Sequence, residues 1–244
     1  MPRTIDVVLT ADTVVQTRLR GASALVIDVL RASTSIITAL ANGAAGVVPV
    51  ETVAEARARK AALDPETLLA GERNGDAPEG FDLGNSPREF TPERVRGRTI
   101  VLTTSNGTRA LLAARPAAGV GVAAFVNAAA AVAWARGRSG DVVLICAGSL
   151  GSPSLEDQAC AGWLATLLAA AEPAATLTPM AAAAREVGLA YGKDLERLAR
   201  DSWHARRLAA NGHGADVAVC LTLDTSTVVP MLAPGVDKLV WGSR

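Results

Sequence analysis

Four segments of this sequence place acids beside arginines and turn-forming residues directly after apolar runs. VIDVLRAST carries Asp28 and Arg31, and GERNGDAPEGFDLGNSP carries Glu72, Arg73, Asn74, Asp82 and Asn85. VLTTSNGTRAL offers Thr104, Ser105, Asn106, Gly107 and Thr108, followed by Arg109, and SLGSPSLEDQACAG holds Glu156 and Asp157. Carboxylates that converge repel one another unless a hard cation joins them, and such oxygen-rich sets suit magnesium with waters and a phosphate. Arginines and amides at a helix start hold the oxygens of a small anion. Each segment alone also has a plain structural reading. Asp28 with Arg31 could be a paired acid under a Ser33 or Thr34 cap, and Glu72 to Asn85 a solvated loop. Residues 104–108 could be an ordinary strand-turn-helix, and Ser154 with its two acids an N-terminal cap.

The elements between these segments say why they should meet. IDVVLT, ALVIDVL, GVVPV, TLLAG, TIVLTT, GVGVAAF and DVVLICAG read as strands, with helical patterns over 33–44, 52–62, 106–115 and 127–138. Nearly uninterrupted apolar strands alternating with helices predict a three-layer α/β/α sandwich with a largely parallel or mixed central sheet. From Leu155 the pattern turns mostly helical, over 155–171, 179–190 and 193–211, and VVPML or KLVWG is expected to return as an edge strand. With no linker and no internal repeat, residues 1–244 are expected to form a single domain. Ligands of open parallel sheets bind where strands end, so all four polar segments fall on one expected edge.

Composition narrows the partners. The 24 basic and 24 acidic side chains cancel, which leaves no electrostatic grip on nucleic acid or an anionic membrane. The amino terminus has no apolar core of signal-peptide length and no apolar run reaches the ~18 residues of a spanning helix, so a cytoplasmic protein is expected. Cys146, Cys160 and Cys220 are widely spaced in apolar surroundings and read as buried thiols. His204 and His213, in the helical tail, read as surface or capping residues. Arg206 and Arg207 beside them read by default as a solvated helix face, with the option of reaching the site. The phosphate segment at 104–108 is not a Walker loop, since it lacks the second glycine and the lysine. A cysteine hydrolase is disfavoured because no lysine stands between Asp28 and a cysteine except Lys60 on an amphipathic helix.

VIDVLRASTSIITALANGA, LLAGERNG, GFDLGNSP, TTSNGTRAL, SLEDQACAG, SWHARRL and DVAVCLTLD closely resemble, in order and over nearly the whole chain, the 2-phosphosulfolactate phosphatase (ComB-like) family. The resemblance implies magnesium-dependent hydrolysis of 2-phospho-3-sulfolactate to sulfolactate and phosphate, a step toward coenzyme M. By motif, it implies a site made of Asp28, Arg31, Glu72, Arg73, Asn74, Asp82, Asn85, residues 104–108, Glu156 and Asp157; from the chemistry of these groups, Asp28, Arg31, Glu72 and Arg73 are expected to be catalytic. Asn74, Asn85, Thr104, Ser105, Asn106, Gly107 and Thr108 would bind the small phosphorylated anionic substrate. The magnesium would draw on Asp28, Glu72, Asp82, Glu156 and Asp157. Whether Asp28 is a ligand, a base or a nucleophile stays open, although aspartyl-phosphate phosphatases carry a second acid where this chain has Leu30. Hydrolysis of another small acidic phosphate ester and non-catalytic binding of an acidic metabolite are the competing functions, and a homodimer is compatible with the sequence.

Overall fold

A computed structural model of the chain describes residues 2–233 and 235–242. Its strands are β1 (Thr4–Val8), β2 (Ser23–Ile27), β3 (Gly46–Pro49), β4 (Leu68–Gly71), β5 (Thr99–Thr103), β6 (Gly119–Ala123), β7 (Val142–Cys146), β8 (Thr176–Leu177), β9 (Met231–Leu232) and β10 (Leu239–Val240). They form one sheet in the order β4-β5-β3-β10-β9-β6-β2-β7-β1-β8. All seven expected strands are present, and the sheet is mixed: β4, β5 and β3 form one parallel block, and β6, β2, β7, β1 and β8 form another. The final apolar segments correct an expectation. Both pair, and neither is an edge, because β9 and β10 are an antiparallel hairpin inserted between the two blocks. β8 falls between two helices of the expected helical part and pairs beside β1.

The alternation of each strand assigns its residues to two layers. Leu25 and Ile27 of β2 pack with Ile5, Leu144, Ala159 and Leu164, under the helices Ala128–Arg136 and Leu155–Ala171. Ala24 and Val26, pointing the other way, pack with Ile36, Ile37, Ile100 and Leu111, under the helices Ala32–Ala41 and Gly107–Ala114. A sheet buried on both faces explains why the strands read as continuous apolar runs rather than alternating ones. The helical carboxyl-terminal part comprises Pro179–Tyr191 and the short helices Leu195–Asp201, Trp203–Leu208 and Gly214–Cys220. No helix among the described residues is long and apolar enough to cross a membrane.

Candidate active site

The ends of β2, β4, β5 and β7 meet at a polar cavity of ≈ 60 Å³, with Asp28, Arg31, Glu72, Asn85, Asn106 and His204 among its walls. That is far below the ~300–1,000 Å³ of pockets enclosing drug-sized ligands, and suits a small anion with a few waters.

Asp28 follows β2 and is buried. Its Oδ1 accepts a hydrogen bond from the Ala32 amide at 3.2 Å, while Oδ2 has no partner among the described residues. Burial pushes its carboxyl up to about 6, and the charges of Glu72 and Glu156 push the same way, against the His204 charge and the Ala32 amide. The helix beginning at Gly107 passes so close that a Cβ on that glycine would stand 2.6 Å from Asp28 Oδ2 and 2.6 Å from Ala32 Cβ. Gly107 therefore serves the site by having no side chain.

Glu72 leaves β4 through Gly71, whose φ of 146° and contact with β5 exclude a side chain: a Cβ would sit 1.9 Å from the Thr103 carbonyl oxygen. The Ser105 amide donates to Glu72 Oε1 at 2.7 Å and the Gly75 amide to Oε2 at 2.9 Å. Asn74 adopts the left-handed conformation, with φ 55°, which Asn tolerates better than most residues, and it lines the cavity. Asn85 is also at the wall, and its Oδ1 is buried with no partner.

Arg31 donates from Nη1 to Asp216 Oδ2 and from Nη2 to the Gly75 carbonyl, both at 2.7 Å. Asp216, on the helix Gly214–Cys220, also accepts from Ser86 Oγ at 2.6 Å. It was not among the expected site residues. Its sequence signal was a lone acid inside the apolar run ADVAVCL, since a buried acid requires a partner.

Several expected site residues stand elsewhere. Asp82 is turned away, because residues 82–84 lie along the outer edge of β4: Leu69 N donates to Asp82 Oδ2, and Lys60 Nζ pairs with it, both at 2.8 Å. Although partial burial opposes ionisation, the Lys60 hydrogen bond holds this carboxyl below its ordinary range. Arg73 does not line the cavity; it braces the strand ends through the Glu72 carbonyl, the Glu51 carbonyl and Thr103 Oγ1. Thr104 and Thr108 bond each other, with the Thr108 amide on Thr104 Oγ1 and the Thr104 amide on Thr108 Oγ1. Of the expected amide cradle, Ser105 serves Glu72, and only the Asn106 and Gly107 amides lack a protein partner among the described residues. Arg109 is on the surface, paired with Asp12.

Glu156 and Asp157 form a layer behind the cavity. Asp157 accepts from the Val29 amide at 2.8 Å and the Gly148 amide at 3.1 Å, which ties the turn after β2 to the turn after β7. Burial, then the charges of Asp28 and Glu156, push its carboxyl well above the ordinary range. Glu156 accepts from Ser202 Oγ at 2.7 Å and faces His204 Nδ1 at 2.9 Å. Burial would raise its carboxyl, but the His204 hydrogen bond and charge outweigh it and hold the group below its usual range. His204 is thus no capping residue; Ser202 caps that helix, accepting from the Ala205 amide. Arg207 also reaches the cavity wall, with its guanidinium 5.2 Å from the Trp203 ring centre.

Among the described residues no three acids, histidines or cysteines form a ready-made metal cage. Magnesium commonly takes only one or two protein carboxylates and completes its shell with waters and phosphate oxygens. Asp28, with one oxygen unpartnered among the described residues and a charge made costly first by burial and then by Glu72 and Glu156, fits such a cation together with Glu72. Of the five acids expected there, Asp28 and Glu72 line the cavity, and Asp82, Glu156 and Asp157 do not. The cysteines are fully buried, and burial raises each thiol, Cys220 to about 12, so none is a nucleophile at the cavity.

Fold and cavity together define an α/β/α sandwich protein with a small polar cavity at the strand ends, walled by acids, asparagines and arginines. A family model described as 2-phosphosulpholactate phosphatase matches residues 8–235. A protein of Thermotoga petrophila named "Probable 2-phosphosulfolactate phosphatase" is 41% identical over 95% of this chain and 96% of its own length. Its namesakes from Thermotoga maritima and Symbiobacterium thermophilum are each 40% identical, over 95% and 89% of this chain and 96% and 94% of their own lengths. The chain belongs to the 2-phosphosulfolactate phosphatase family and is a phosphoric monoester hydrolase.

Proposed function

We propose that this chain is a cytoplasmic, magnesium-dependent phosphatase that hydrolyses 2-phospho-3-sulfolactate to sulfolactate and phosphate, in a route of the coenzyme M type. The names of its relatives support the substrate. The observation that carries the chemistry is the buried Asp28 carboxylate, with an unpartnered oxygen in the same small cavity as Glu72 and Arg31.

Asp28 and Glu72 would hold the magnesium, which supplies charge neutralisation on the phosphoryl oxygens and a polarised water. Phosphate-monoester hydrolysis is mainly positioning and charge stabilisation, and the chain's own groups divide that work. The amides of Asn106 and Gly107, at a helix start, receive phosphoryl oxygens, with Asn74 and Asn85 at the wall beside them. Arg31, fixed by Asp216 and Gly75, sets a positive charge at the wall without rotamer freedom to lose. The cavity's small volume favours a compact acid over a nucleotide.

A phosphate-release screen over phosphosulfolactate, phospholactate, phosphoglycerates and a generic aryl phosphate, with and without magnesium, tests this. Release from phosphosulfolactate that needs magnesium and is lost in Asp28→Ala and Glu72→Ala, with the fold intact, is expected. Full activity in both variants would remove the proposed centre. Indifference to the sulfonate would reduce the function to hydrolysis of small acidic phosphate esters in general.

A further inference from the structure

We infer that His204 is the general acid of the reaction, protonating the oxygen that leaves phosphorus, and that Glu156 and Ser202 are its positioning residues; the inference rests on the hydrolytic reading above. His204 lines the cavity on the wall contributed by the carboxyl-terminal helices, facing the strand ends that carry Asp28 and Glu72. Its Nδ1 lies 2.9 Å from Oε1 of Glu156, and Oε2 of the same carboxylate accepts from Ser202 Oγ at 2.7 Å. Glu156 is 1% exposed and its carboxyl is held below the ordinary range, so it is an acceptor only. Nδ1 must therefore donate, and Nε2, without a protein partner among the described residues, is the working nitrogen; the acid is the imidazolium, which carries a second proton on Nε2 while Glu156 supplies the counter-charge.

Pairing with the buried Glu156 meets a structural need, but the position of the ring goes beyond it. A histidine serving only to satisfy Glu156 would be expected to stay in the core, whereas His204 keeps 17% of its side chain exposed at the wall of the cavity. Ser202 holds the other end of the dyad in two ways, because its hydroxyl oxygen also accepts from the Ala205 amide and so starts the helix that carries the ring. A carboxylate behind an imidazole orients the ring and provides the counter-charge for the proton it carries.

The chemistry needs such a group. The leaving oxygen of a phosphate ester on a secondary alcohol departs as a strongly basic alkoxide unless it is protonated. In the proposed step, water forms a new bond to phosphorus as the bridging P–O bond breaks. The electron pair of that bond passes to the alcohol oxygen, which takes the proton from Nε2. The attacking water gives up one proton to solvent, and the imidazole regains one from solvent, so sulfolactate and phosphate leave with the enzyme restored.

The test compares two esters with the magnesium-loaded, full-length protein. Phosphosulfolactate needs a proton on its leaving group, whereas the carboxylate leaving group of acetyl phosphate does not. His204→Gln is expected to lower kcat/KM on phosphosulfolactate by about 10²–10⁴-fold, the usual worth of a general acid, and on acetyl phosphate by less than about tenfold. His204→Ala is expected to regain part of its phosphosulfolactate activity with added imidazole. Glu156→Gln should show the same ester-dependent pattern with a smaller loss. Equal losses on both esters without imidazole rescue, or no loss at all, would overturn the role of His204 while leaving the hydrolase reading intact. Failure of the unaltered protein to release phosphate from either ester would overturn that reading and this role with it.

Discussion

Arg31 and Asp216 form an ion pair of 2.7 Å with both side chains 3% exposed, joining the turn after β2 to Gly214–Cys220, the last helix of the helical part. The contact spans 185 positions of sequence, and Gly75 and Ser86 complete the hydrogen bonds of its two members. Removing one partner from such a pair leaves an uncompensated buried charge, which costs ~3–5 kcal/mol. Asp216→Ala is therefore expected to lower unfolding free energy by about that amount in urea titration and to loosen substrate binding through a mobile Arg31. An Asp216→Ala protein as stable as the unaltered chain would show that Arg31 finds another partner.

Asp82 and Asp28 are both acids of the quoted motifs, and the structure separates them. Asp82 is 38% exposed in a surface pair with Lys60, and exposed pairs contribute only ~0–1 kcal/mol. Its carboxyl is held low in the folded protein, so its small contribution is present above the unfolded value and disappears as pH falls through the folded one. Asp82→Asn is expected to keep phosphate release within about twofold and to alter stability by less than about 1 kcal/mol at neutral pH. A large loss of activity in this variant would return Asp82 to the site.

The contrast marks how far the sequence could be read. Strand identities were legible because both faces of the sheet are buried, and positions such as Leu25 and Val26 are therefore equally apolar. The convergence of Asp28, Glu72 and residues 105–107 was legible because each follows a strand. Asp82 was not, since its exclusion depends on residues 82–84 lying against the β4 edge, a pairing with no local signal. His204 and Asp216 were illegible as site residues because they arrive from the carboxyl-terminal helices, whose docking follows from no periodicity. The hairpin of β9 and β10 was misplaced for a related reason: two-residue strands report pairing but not position in the sheet.

Gly107 offers a test of the site's packing that changes no chemical group. An added methyl would stand 2.6 Å from both Asp28 Oδ2 and Ala32 Cβ, and Ala32 is itself 1% exposed. Overpacking of this kind costs ~1–3 kcal/mol, and here one of the displaced atoms is the unpartnered oxygen of Asp28. Gly107→Ala is expected to lower the melting temperature by several degrees and kcat/KM by at least tenfold, more than its stability loss alone would cause. An unchanged turnover per folded molecule would place Asp28 Oδ2 outside the chemistry.

The cysteines give a prediction whose sign follows from burial. Cys146, Cys160 and Cys220 are all buried, and each thiol is raised by desolvation, Cys220 to about 12. The thiolate is the reactive form, so at pH 8 the folded protein holds almost none of it, while the unfolded chain, with thiols near 8.5, holds a substantial fraction. Alkylation by iodoacetamide at pH 8 is expected to be slow in buffer and fast in denaturant, with all three cysteines labelled only after unfolding. Raising the pH to 10 in buffer should still leave Cys220 unlabelled over the same period. Phosphate release should be unaffected by the reagent under native conditions; rapid inactivation would make one of these thiols part of the reaction.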